Sequence, residues 1–482
     1  MANQKALPPY WAVVLTASGA NFLAMLDSTV TMLAVPALQR DFPSSSLPEL
    51  ALVVGAYAVL FAALLAPAGR LADTMGRKRV LLGGVALFTM ASVLCALAPT
   101  VPLLVAARAV QGIGAAVMVP ASLSVLLLDT PPKRRMMSIS LLSAAGAIAA
   151  AVGPSVGGLL VEAFTWHAVF LINVPLGIAL IVVGAKVLTP TPARSGLPDP
   201  VGVLLLVLGV GGLTVGITNG SSWAWTSGRT LVCLGAGAVC VWLAVRRSLR
   251  HPSPAVELSL FRRNRMFTSA NLVALLYGTV MYTWLLVSVL FLTDVWQYSE
   301  LAAGLAQTPG AVVAAIAAVV MGKVMGRFGG PRYAAAVGMT AHALVPVILF
   351  VFLTEDSAFA ALWLPCSVLV GFGIGATMTA VMTAGAMSAP PTEFASVSAV
   401  NNTARQIGGA LGAAVVATIL RTTAVGDEAG GATLDSYLDV YAFCLVLTVV
   451  AIAVAVFGLR TRGPSASVPT EDARRTPARV AD

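Results

Sequence analysis

Two ionisable side chains stand where the surrounding sequence is apolar. Asp27 follows Phe22-Leu23-Ala24-Met25-Leu26, and Arg108 sits between Leu103-Leu104-Val105-Ala106-Ala107 and Ala109-Val110. A charge at lipid depth is expensive to retain, so such a residue is a functional candidate by default. At 1.5 Å rise per residue, each lies roughly 9 Å inside the same end of its apolar run. That common depth suits an ion pair, or two poles of one polar cavity. Burial works against the Asp27 charge and a neighbouring guanidinium works for it. Movement that alters this competition would load and release a proton. The plainer alternative is a structural pair that only sets helix register.

Other polar groups fall inside apolar runs as well. Gln111 follows Arg108 by one helical turn, and Asn401, Asn402, Arg405 and Gln406 cluster in a later run. They suit a cavity wall or bonds between helices. Tyr277, Tyr282 and Trp284 suit stacking on a flat molecule, although packing is the commoner role of such rings. The candidate cavity residues are therefore Gln111, Asn402, Arg405, Gln406, Tyr277 and Trp284. His342, alone in its run, reads as a bonded polar residue. The stretch Gly69 to Lys78 carries Asp73 between spaced glycines, ahead of Arg77 and Lys78. It reads as a short loop in which Asp73 accepts bonds from a helix N-terminus or from basic neighbours, latching one arrangement of the helices. Gly153, Pro154, Gly157 and Gly158 combine a missing helix hydrogen bond with small residues that admit a close neighbour, which suits a packed hinge or simple packing.

Several chemistries find no support. There is no GxxxxGK[ST] loop for ATP, no HExxH and no catalytic carboxylate pair. The five cysteines lack CxxC or metal spacing and suit packing between helices. No catalytic residue, metal ligand or cofactor is expected, and an enzyme is not.

The elements that must position these residues follow from composition. Of 482 residues, 58% are hydrophobic and 10% charged, with a mean hydropathy of +0.90. Soluble domains carry about a quarter charged residues. The chain is read as an all-α integral membrane protein. Runs of about 20 apolar residues mark spans. They fall near 11–33, 50–68, 80–98, 102–128, 138–162, 168–188, 199–218, 230–247, 267–293, 304–325, 332–353, 359–388, 396–420 and 438–459. The first is too long for a cleaved signal peptide. Of the 29 Lys and Arg, 24 lie in the loops that share a side with both termini and three opposite, which predicts cytoplasmic termini. The net charge of +9 is thus a topology device, and no nucleic-acid partner is needed. The expected division is 1–190 and 251–462 as six-helix bundles, 191–250 as two linking helices, and 463–482 as a disordered cytoplasmic tail.

An internal repeat supports the division. Gly112-Ile113-Gly114 recurs as Gly373-Ile374-Gly375, and Gly69 and Gly76 recur as Gly322 and Gly329, at offsets of 261 and 253 residues. Duplicated halves are common in transporters that rock around a central site.

Gly69, Leu71, Asp73, Gly76, Arg77 and Lys78 match all six positions of the G-x-L-x-D-x-x-G-R-K loop, and here the chain resembles the major facilitator superfamily. Arg108 to Gly114 is similar to its fourth-helix motif, and Gly153-Pro154-Ser155-Val156-Gly157-Gly158 to the motif of its drug–proton antiporters. Three further stretches resemble the fourteen-span drug–proton antiporter family (EmrB/QacA type). They are Leu26 to Val30 closing on Pro36; Trp166-His167 with Phe170, Asn173, Pro175 and Gly177; and Asn401-Asn402 with Arg405-Gln406 and Gly408-Gly409. Met32 and His167 depart from the usual Asn and Arg, and Gly326 replaces Asp73 in the second copy, so any charge latch is one-sided. The resemblance implies the major facilitator fold, two six-helix bundles plus two extra central helices. It implies a monomer in the plasma membrane that expels a hydrophobic or amphipathic drug or antibiotic in exchange for protons, with Arg108 in proton coupling. No other partner than substrate, protons and the lipid bilayer is implied. Since Asp27 is the one acid deep in a span, a neutral or singly charged substrate is expected. The alternatives are an importer or facilitator on the same fold, and a non-transporting receptor or scaffold.

Overall fold

A computed structural model describes residues 9–45, 47–191, 199–256, 258, 260–261, 264–327, 329–390, 393–424 and 433–459. The tail at 463–482 lies outside them. Among the described residues, fourteen long helices carry the chain back and forth. The first bundle holds α1 (Tyr10–Val30), α2 (Leu47–Met75), α3 (Arg77–Ala96), α4 (Val101–Leu128), α5 (Arg135–Ala163) and α6 (Asn173–Val187, after a short turn Trp166–Leu171). Two linking helices follow, α7 (Pro200–Trp223) and α8 (Gly228–Ser248). The second bundle holds α9 (Arg265–Asp294), α10 (Glu300–Val324), α11 (Pro331–Phe352), α12 (Leu364–Met387), α13 (Phe394–Ala424) and α14 (Leu434–Gly458). No strand occurs among the described residues. Lipid cannot satisfy exposed backbone groups, so an apolar chain of this kind resolves into helices that bond internally. Thirteen helices among the described residues are long and apolar enough to cross a membrane. The remaining one, α5, is 29 residues long.

One expectation needs correction. The segment Gly69–Lys78 is not a loop: Gly69 to Met75 form the last two turns of α2, and Arg77 already opens α3. Gly76 alone makes the reversal, at a φ of 97° that only glycine adopts cheaply. Gly329, its counterpart in the second half, has a φ of 77°.

Close packing verifies the repeat and shifts its register. A methyl group on Gly112 would lie 2.6 Å from the Tyr57 carbonyl of α2, and one on Gly114 2.7 Å from the Phe88 amide of α3. In the second half it is Gly371 that abuts Gly310 of α10, while a methyl on Gly373 would lie 2.8 Å from the Gly338 carbonyl of α11. Gly112 thus corresponds to Gly371 and Gly114 to Gly373, two residues from the alignment that the repeated letters suggest. Gly375 faces α10 one turn further on. Between membrane helices small residues are what permit such contact.

The α7–α8 hairpin lies against the first bundle, where Val210 packs on Ala62 and Ala63 of α2. Asp199 pins its base. The carboxylate caps α7 by accepting from the Val201 amide at 3.2 Å, and it takes a two-pronged ion pair from Arg247 of α8. Hydrogen bonding from Arg247 holds the Asp199 carboxyl below the ordinary carboxylate range.

The hydrophobic cores show how the bundles meet. Fourteen crossings return the chain to the end at which it began, called here the basic end. At the far end the cores are separate: Leu26, Val30, Trp166 and Phe170 cluster within the first bundle, and Trp284, Phe291, Trp363 and Tyr437 within the second. At the basic end they merge. Phe394 and Ala395 of α13 join the core of Leu65, Ala72 and Leu142, and Met136 of α5 packs with Met325 and Met339. Halfway along, Ala144 meets Ala315 and Ala318.

Two outcomes follow from this packing. Gly373→Leu is expected to lower stability by about 1–3 kcal/mol through overpacking, measured by thermal unfolding in detergent, whereas Gly235→Ala, which points into open space, should leave it unchanged. The depressed Asp199 carboxyl contributes its stability above the ordinary carboxylate range and loses it as pH falls through its lowered value. Hydrogen exchange at residues 199–203 should therefore quicken on strong acidification in the wild type and be quick at neutral pH in Asp199→Asn.

Candidate functional site

Asp27 and Arg108 are in contact. Arg108 Nη1 donates to Asp27 Oδ2 at 2.6 Å, and both side chains are inaccessible to solvent. Asp27 sits one turn from the end of α1, and Arg108 two turns inside α4, so opposite chain directions bring them to one depth. A buried ion pair is tolerable only when its remaining donors and acceptors are met. Here Gln111 Nε2 of α4 and Asn173 Nδ2 of α6 each donate to Asp27 Oδ1 at 2.8 Å. The same two amides donate to Ser92 Oγ of α3, at 2.6 and 2.9 Å. Arg108 Nε donates to the Val53 carbonyl of α2 at 3.1 Å, and Nη1 also to Gln111 Oε1 at 2.7 Å. The Tyr57 ring lies 4.4 Å from the guanidinium carbon, a cation–π contact. Five helices therefore converge on one carboxylate and one guanidinium. Arg108 Nη2 and Asn173 Oδ1 are buried without a hydrogen-bond partner.

A second charged group joins the bundles. Arg77 Nε and Nη2 donate to Asp73 Oδ1 at 3.1 and 2.8 Å. Across the interface, the Ser396 amide and hydroxyl donate to Asp73 Oδ2 at 3.0 and 2.8 Å. Ser396 lies in the first turn of α13, where amides lack partners within the helix and favour an anion. Gly69 supports this contact, since any side chain there would strike Ala395 and Ala399. Lys78 Nζ donates to the carbonyls of Ala185 and Leu188, closing the end of α6. In the related position of the second half, Gly322 abuts Ser140 of α5 and Gly326 brings no charge. The contact is ionic on one side and uncharged on the other, as the missing second Asp implies.

The remaining sequence candidates disperse. Gln111 belongs to the charge cluster. Asn402, Arg405 and Tyr277 line a small pocket in the second bundle with Asn401 and three side chains of α12. Gln406 Oε1 accepts from the Tyr282 hydroxyl at 2.7 Å. Trp284 is buried in the far-end core, stacked 5.7 Å from Trp363 and tilted against Tyr441 at 5.8 Å. His342 is buried between the edges of Tyr277 and Trp284. Gly153 packs on Thr29 of α1, and α5 continues as a helix through residue 154 to Ala163. Gly157 is buried and Gly158 half-buried. Ser92, Ser396 and Tyr57 were not picked out by sequence reasoning: isolated hydroxyls in helices carry no pattern. Asn173 was named only within a stretch that resembles the fourteen-span family, and folding alone sets it beside Asp27.

Removing one donor tests the cluster. Asn173→Ala should cost about 1–3 kcal/mol, the penalty for under-served buried polar groups, read as a lower thermal midpoint. A wild-type midpoint would show that Asn173 does not serve the carboxylate.

With this geometry in hand, comparison with known proteins is informative. The model of the Major Facilitator Superfamily matches residues 17–413. The methylenomycin A resistance protein of Streptomyces coelicolor is 32% identical over 420 residues, covering 86% of this chain and 87% of the relative. The multidrug resistance protein Stp of Mycobacterium tuberculosis is 31% identical over 421 residues, covering 87% and 76%. The probable multidrug resistance protein EmrY of Escherichia coli is 29% identical over 443 residues, covering 89% and 84%. Among solved structures, the human organic anion transporter MFSD10 superposes with a TM-score of 0.69 at 15% identity, covering 93% of this chain and all of the other, which establishes a common fold. Domain match, relatives and architecture agree, and the chain belongs to the major facilitator superfamily.

Proposed function

We propose that this multi-pass membrane protein expels a small hydrophobic or amphipathic compound, of the antibiotic or drug class, across the plasma membrane in exchange for protons. The observation that carries the reading is the buried Asp27–Arg108 pair, held by donors from α4 and α6. It accompanies relatives named for antibiotic and multidrug resistance. The excess of Lys and Arg at the basic end supports cytoplasmic termini. In that orientation the merged cores and the Asp73–Ser396 latch close the cytoplasmic side, while the separate far-end cores give an outward-facing state.

A proton arriving from outside at Asp27 removes the charge that three donors serve. The neutral acid holds Arg108 and the two amides less firmly, which frees α1 relative to α4 and α6. Arg108 also binds α2 through Val53, and α2 ends in the latch, so a shift at the pair bears on the inter-bundle contact. Opening toward the cytoplasm then releases the proton and admits substrate. No cofactor is needed: each charge moved inward contributes about 2.3 kcal/mol per 100 mV.

Uptake of candidate antibiotics into everted membrane vesicles, with and without a proton gradient, tests the proposal. Accumulation that ignores the gradient would overturn proton exchange. Asp27→Asn should abolish uphill accumulation; full activity in that variant would remove Asp27 from the coupling. Asp73→Asn weakens a charge-assisted contact and should slow transport by about tenfold. Spin labels at Lys133 and Arg327 should report a wider basic end in that variant, and an unchanged distance would dismiss the latch.

A further inference from the structure

Arg405 presents an anomaly that the coupling mechanism does not use. It lies on α13, eleven residues in from Phe394, and so near mid-membrane depth. Arg108, the other arginine at depth, has Asp27. Among the described residues, Arg405 has no carboxylate within ion-pair distance. Its Nη2 donates to Asn402 Oδ1 at 2.7 Å, its Nη1 reaches only the Met378 thioether at 3.4 Å, and its buried Nε has no partner. Arg405 is half-buried, and a cation so placed with only a neutral amide and a sulfur has fewer partners than Arg108. Beside it Asn401 is 8% exposed, and its amide nitrogen is buried without an acceptor.

These unmet donors share one pocket. Arg405, Asn401 and Asn402 form its polar side, and Tyr277, Met378 and Met382 its apolar side. No Asp or Glu lines it. It abuts the first bundle, since Met382 Sδ accepts from Ser143 Oγ of α5 at 3.2 Å. The acid at comparable depth, Asp27, is fully enclosed and already held by three donors. Among the described residues, the pocket lining therefore offers a guanidinium without an ion-pair partner and no carboxylate. The pocket is closed down to about 10 Å³ in this state, room for a water at most; widened as the bundles move, its planar guanidinium and neighbouring amide donor would match a carboxylate or similar oxyanion, and its thioethers and ring an apolar body.

We infer that the Arg405 pocket is the subsite for an acidic group on the transported compound, so that the substrate is an amphipathic organic anion. This rests on the efflux reading for the word transported, but the binding site is testable without it. It also narrows the expectation of a neutral or singly charged compound to one charge sign.

The test uses the purified full chain in phosphatidylcholine nanodiscs and three probes that differ only in the polar group: 1-naphthoate, 1-naphthalenemethanol and 1-naphthylmethylammonium. Naphthoate should bind at least about tenfold more tightly than the other two, the scale of one charge-assisted contact. Arg405→Gln should erase that preference while leaving the alcohol unchanged, Arg405→Lys should restore part of it, and Asn401→Ala should weaken naphthoate alone. Thermal unfolding reports whether each variant is folded, and the Lys and Ala variants carry the test if the Gln variant is not. Failure of naphthoate to bind, equal or tighter binding of the ammonium or the alcohol, or an unchanged preference in Arg405→Gln would overturn the inference. So would displacement of naphthoate by chloride at about 0.1 M, where surface charges are largely screened, because the pocket would then hold an inorganic anion. Gradient-driven efflux without carboxylate preference would sink this inference and spare the efflux reading. Arg405-dependent naphthoate binding without any efflux would do the reverse.

Discussion

A carboxylate and a guanidinium taken out of water together need hydrogen bonds to replace those of water, and that requirement organises the first bundle. Asp27 and Arg108 draw in Gln111 from α4, Ser92 from α3, Asn173 from α6, and Val53 and Tyr57 from α2. Each is a local cost to an apolar helix, offset because the groups meet one another. The close approach of α2, α3 and α4 that this needs is set by Gly112 and Gly114. Charge satisfaction and small-residue packing are thus two aspects of one arrangement.

Helix α2 links this cluster to the contact between bundles. It touches Arg108 through Val53 and Tyr57, and twenty residues on, about 30 Å at helical rise, it presents Asp73 to the first turn of α13. Arg77 and the Ser396 donors share that carboxylate between a bond within the first bundle and a bond across to the second. A helix end and a single carboxylate make a contact that can break and re-form as a unit. The opposite seam, α5 on α10, is apolar and small, so it can slide without losing an ion pair.

Much of this was legible in the residues. Span number and the candidate pair followed from hydropathy and from the rarity of charge, because lipid leaves helices as the open solution and makes each retained charge conspicuous. The reach of α2 through Gly69 to Met75 was not legible: polar residues at a membrane surface look like loop whether or not they continue a helix. The repeat was visible, but its register was not, since Gly371, Gly373 and Gly375 offer two alignments and only contact with α10 and α11 distinguishes them. Trp284 shows the converse limit. An aromatic ring in a span reads equally as cavity wall or core, and here Trp363 and Tyr441 claim it for the core.

The sequence by itself determined that this chain lives in a membrane, how often it crosses, and which few charges it keeps there, because hydrophobic transfer is a property of composition along the chain. Tertiary structure alone decided which charges have partners. Asp27 and Arg108 are 81 residues apart, and Asp73 and Ser396 are 323 apart; no local rule relates them. The same folding left Arg405 without a counter-ion. An arginine reads the same in sequence whether paired or bare, and only the arrangement of neighbours in three dimensions separates Arg405 from Arg108.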